Sequence, residues 1–105
     1  MSFEVTGSSR ELALSIIYDY LVDLEKPCRP RYNVGRFEWL SYSRWAADEL
    51  IFRIIDSSSH PICVLEDFIC EMYKYSKAGA KHNYIFSIAQ NVAENILETC
   101  RAAME

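Results

Sequence analysis

Polar residues recur four apart at Glu11, Ser15, Asp19 and Asp23. Leu14, Ile17, Leu21 and Leu24, with Ala13, Ile16, Tyr20 and Val22, fill the turns between them. That spacing is a narrow polar stripe on a helix apolar over most of its circumference, so it predicts a helix over 9–26 contacted from two sides. Ser8 and Glu11 form a capping-box pattern at its start, in which hydroxyl and carboxylate each satisfy a backbone amide. Pro27 ends it, because proline lacks the amide donor and disfavours helical geometry in the residue before it.

Three further helices follow from the same periodicity. Over 36–56, Trp39, Leu40, Ala46, Ala47, Leu50, Ile51, Ile54 and Ile55 share one arc, opposed by Glu38, Ser41, Asp48, Glu49, Arg53 and Asp56. Trp45 and Phe52 interrupt the polar side, with Tyr42 beside them. Ser57-Ser58-Ser59-His60-Pro61 breaks the chain and opens a helix over 61–78, with proline in the first turn where its missing donor is harmless. Ile62, Leu65, Phe68, Ile69, Met72 and Tyr73 form its apolar arc, Lys74 and Lys77 suit its C-terminal dipole, and Gly79 reads as its cap. Over 83–103, Ile85, Ile88, Ala89, Val92, Ile96 and Cys100 face one way, and Asn83, Ser87, Gln90, Asn91, Glu94, Asn95 and Glu98 the other. Period-two alternation is limited to a short piece at Phe3–Val5. The reading is an all-α, four-helix bundle-like single domain over 1–105, with a Pro/Arg-rich extended loop (KPCRPRYNVG, 26–35) between the first two helices.

Composition supports one folded unit: 105 residues, half of them hydrophobic, with only three Gly and three Pro. The longest apolar runs are broken by Asp19, Asp23 and Arg53, short of a membrane span. Met1-Ser2-Phe3-Glu4-Val5 lacks the basic start and apolar run of a signal peptide, so a cytoplasmic location is expected.

Charge is uneven. Residues 1–25 hold one base against five acids, 26–47 five bases against one acid, and 48–105 five bases against nine acids. Arg29, Arg31, Arg36 and Trp39 lie in the basic block, among Tyr32, Phe37, Tyr42 and Trp45. Cations interleaved with rings suit a single-stranded nucleic acid or another anion. The competing account is pairing with the chain's own Asp19/Asp23/Glu25 end, and a pI near 5.2 favours it. A helix-turn-helix at 56–61 fails on charge: the would-be recognition helix presents Glu66 and Asp67 before its first base, Lys74.

Catalytic chemistry finds little support. Cys28, Cys63, Cys70 and Cys100 contain no C-x-x-C. Cys63 and Cys70 are separated by about 10 Å of helical rise, beyond the ~7 Å that a disulfide spans, so all four are expected as thiols. Both depart from the apolar arc of their helix, and with Lys74 a turn away Cys70 is a candidate reactive thiol, the plainer role being a small hydrophobe. His60, Cys63 and His82 do not make a four-ligand metal site, and no metal or cofactor is expected. The carboxylate pairs Asp48–Glu49 and Glu66–Asp67 are adjacent in sequence and so splay by about 100° on a helix. No phosphate loop or nucleophile motif occurs.

Trp45 and Phe52 on a polar face, with Tyr42 and Arg44 adjacent, have the composition of an interface hot spot. Either another segment of the chain covers them or a partner does. Pro61 to Glu98 (PICVLEDFICEMYKYSKAGAKHNYIFSIAQNVAENILE) pairs a Pro-led VLEDF helix with an IFSIA helix. It resembles the C-terminal half of short uncharacterised helical proteins of Gram-positive anaerobes and their mobile elements. That resemblance implies a bacterial cytosolic protein and brings no catalytic residues. The expectation is a non-catalytic protein–protein interaction module, a homodimer or a partner of another protein, contacting through Tyr42, Arg44, Trp45 and Phe52. The alternative is a weak nucleic-acid or anion binder through Arg29, Arg31, Arg36 and Trp39.

Overall fold

Four helices account for nearly all of the chain that the computed structural model describes, residues 5–26, 35–78 and 83–104: α1 (Val5–Asp23), α2 (Arg36–Asp56), α3 (Pro61–Lys77) and α4 (Asn83–Met104). The capping-box expectation is corrected. The backbone at Ser8 is already helical, because α1 starts at Val5. With the helix entered three residues earlier, the Glu11 amide that Ser8 would cap already has a helical carbonyl one turn back, that of Gly7. The Phe3–Val5 strand reading fails at Val5, which is already helical. At its other end α1 tightens: the Glu25 and Lys26 amides donate to Val22 and Asp23 carbonyls three residues back, so the helical pattern up to Lys26 becomes a narrower turn. Gly79, His82, Cys28 and the segment 27–34, with Arg29 and Arg31, lie outside the described residues.

His60 has a structural role that the sequence reading missed. It is the N-cap of α3, its Nδ1 accepting from the Ile62 amide at 3.1 Å, directly before Pro61 at the first helical position. Arg10 of α1 donates to the Ser57 carbonyl at 2.7 Å. It thereby places a cation on the C-terminal end of α2, where backbone carbonyls lack partners within the helix.

All four helices contribute to one core: Ala13 and Ile17; Ala46, Ala47, Leu50 and Ile54; Val64, Leu65, Phe68 and Met72; Ile88, Ala89, Val92, Ala93, Ile96, Leu97 and Cys100. Four of these are alanines on α2 and α4, small enough for those backbones to come close. Two arc assignments are corrected. Ile55 and Tyr73, read as facing inward, are exposed, whereas Val64 is buried. Each stands at the margin of its helical arc, where the neighbouring helix decides which flank is covered.

Arg53 ties α2 to α3. Its Nη2 and Nη1 donate to the two Glu71 carboxylate oxygens at 2.9 and 3.2 Å, and its guanidinium carbon lies 4.9 Å from the Phe68 ring centroid. Those hydrogen bonds hold the Glu71 carboxyl below the ordinary carboxylate range and Arg53 above its own ordinary value. A depressed folded-state value means that Glu71 stabilises the fold above its unfolded value and loses that contribution as pH falls through the folded one. Both side chains are partly solvated, which limits the effect to about 1 kcal/mol. Glu71→Gln should therefore destabilise the protein by about that much at pH 7 and by almost nothing at a pH acid enough to protonate Glu71 in the folded protein. A cycle with Arg53→Met, followed by urea unfolding at both pH values, checks it. A coupling that persists in acid would contradict the ion pair.

Candidate protein-interaction surface

The core side of α2 is set by Ser43, Ala46, Ala47, Leu50 and Ile54, all buried. At about 100° per residue, Phe37, Ser41, Arg44, Trp45, Asp48, Phe52 and Ile55 lie on the opposite side. All seven are exposed, the apolar ones to different degrees: Phe37 81%, Phe52 70%, Ile55 55% and Trp45 40%. Lone exposed hydrophobics are ordinary, but four large ones along a single helix face form a patch. By contrast, the outward turns of α4 carry Gln90, Asn91, Glu94, Asn95 and Glu98.

Of the residues singled out in the sequence, the structure brings Arg44, Trp45 and Phe52 onto this face. Trp45 also leans on the buried Phe68 ring, 6.5 Å between centroids at 43°, so the indole is anchored on one side and solvent-facing on the other. A ring held in this way loses little side-chain freedom on binding. Tyr42 does not join them; it is half-buried against the core. Arg44 pairs with Glu25 at the end of α1. Sequence reading missed Phe37 and Ile55, although five helical turns between them put both on one meridian.

The described part of the basic block is largely engaged within the chain. Lys26 lies 3.1 Å from Asp23, Arg44 pairs with Glu25, and Arg36 also has a partner. Trp39 is half-buried against the core. Among the described residues no three His, Cys, Asp or Glu side chains converge to hold a metal, and no helix is long and apolar enough to cross a membrane.

Cys63 and Cys70 are exposed thiols, while Cys100 is buried and its pKa is pushed up to about 11 by desolvation. Site-resolved alkylation of the folded protein should modify Cys63 and Cys70 and leave Cys100 untouched until denaturant is added. Rapid native labelling of Cys100 would contradict its place in the core. Comparison with protein-family models, curated proteins and solved structures finds no match for this chain.

Proposed function

We propose that this chain is a small protein–protein interaction module, without catalysis of its own, that self-associates through the outer face of α2. The observation that carries this reading is the line of Phe37, Trp45, Phe52 and Ile55 on the helix side turned away from a filled core. Covering their exposed parts would remove on the order of 500 Å² from water per protomer, given ~150–250 Å² for a whole aromatic side chain. With flanking polar groups this approaches the ~800 Å² per partner of a stable interface. Trp45 is the anchored hot spot, Phe52, Phe37 and Ile55 extend the apolar stripe, and Arg44 supplies a charged contact between them. Light scattering coupled to size-exclusion over a range of loading concentrations tests it. The expected mass is twice 12.2 kDa, moving towards 12.2 kDa only on dilution.

A further inference from the structure

A two-fold homodimer needs a patch complementary to itself: whatever residue i touches, the partner's copy of i must be touched by the same residue in return. The outer face of α2 has that property about its midpoint. The helix runs from Arg36 to Asp56, so Ala46 is its centre. Arg44 and Asp48 stand two residues to either side of Ala46, with opposite charge, both exposed. Phe37 and Ile55 stand nine residues to either side, both apolar and exposed. All four fall within about 40° of one another around the helix.

From this pattern we infer that two copies pair their α2 helices antiparallel about a two-fold axis level with Ala46 on the outer side of the helix, each Arg44 facing the other copy's Asp48 and each Phe37 the other copy's Ile55. The inference rests on the self-association proposed above and adds its partner geometry. Centring the axis on the middle of α2 overlaps both helices along their whole length, about 31 Å, which maximises the apolar area covered. A ~20° crossing keeps two such stripes in contact. Trp45 and Phe52 of both copies then line the flank of this seam that lies towards α3, where Trp45 rests on Phe68. Arg44 keeps Glu25 as its neighbour on the α1 flank, and the guanidinium has donors enough for a second carboxylate. A parallel pairing would set Asp48 against its own copy in the middle of the contact, where like charges repel.

Charge reversal distinguishes the register. Arg44→Glu and Asp48→Arg should each weaken the dimer at least roughly tenfold in sedimentation equilibrium at low salt, because each creates two facing like-charge pairs. The double variant Arg44→Glu/Asp48→Arg should recover to within a few-fold of the wild type. Glu25→Gln, which removes the Arg44 pair inside one copy, should leave dimerisation unchanged, and circular dichroism confirms that each variant folds. A wild-type dimer insensitive to the single reversals, or a double variant no tighter than the singles, overturns the antiparallel register while leaving self-association standing. A wild type that stays monomeric overturns both.

Discussion

Phe68→Ala should lower the unfolding free energy by about 3–5 kcal/mol, the range for removing a fully buried ring, out of a total of roughly 5–15 kcal/mol for a domain of this kind. Phe68 is completely buried on α3 and lies beneath two side chains of α2, Trp45 and Arg53. The substitution therefore removes apolar area, leaves a cavity and takes away the surface on which the guanidinium rests. For a chain of 105 residues the midpoint of thermal unfolding should fall by roughly 15 °C or more. Phe68→Leu, which keeps most of the volume, should cost only about 1 kcal/mol. Chemical denaturation of the three proteins checks this. A Phe68→Ala loss below about 1.5 kcal/mol would mean that the ring is not at the junction of α2 and α3.

Phe52→Glu should weaken self-association at least roughly 30-fold with almost no effect on folding. Phe52 is 70% exposed, so its replacement should change stability by no more than about 0.5 kcal/mol. In a two-fold dimer the change occurs twice, placing two carboxylates on the apolar flank of the seam. Loss of at least about 2 kcal/mol, roughly 30-fold in the dissociation constant, is the expectation for a hot-spot position. Trp45→Ala should weaken the dimer as well, but it also loosens the fold, because the indole packs on Phe68. Phe52 is thus the cleaner probe. Light scattering at matched concentrations, beside urea unfolding of each variant, separates the two effects. A Phe52→Glu protein with the wild-type mass profile would remove the α2 face from the interface.

Much of the architecture was legible because helix signals are local. Pro61 at a first helical position, the polar run of α4 and the bases at the end of α3 each act within a turn or two, and α3 begins where Pro61 puts it. The start of α1 was misjudged for a complementary reason. Ser8 and Glu11 describe what a chain would do if it entered the helix there, whereas the helix continues back to Val5.

On the outer face of α2 the outcome divides residue by residue. Phe52 could be placed from periodicity because it lies almost opposite the core meridian of α2, out of reach of any neighbouring helix in the bundle. Tyr42, about a quarter-turn from that meridian, could not: the core takes it in. Trp45 is intermediate, and only the position of Phe68 on another helix explains why its indole is held as well as exposed.

Residue order alone determined that the chain forms four helices, where three of them start, and which face of each is apolar, since these depend on a fixed 3.6-residue period and on capping within a turn. Tertiary structure decided the rest: the Arg53–Glu71 clasp over Phe68, the Arg10 contact with the end of α2, the exposure of Ile55 and Tyr73, and that Phe37, Trp45, Phe52 and Ile55 are left uncovered by the other helices. The physical reason is that a helix's own sequence specifies its faces, but the margins of those faces are buried or left to water by the helices packed beside them.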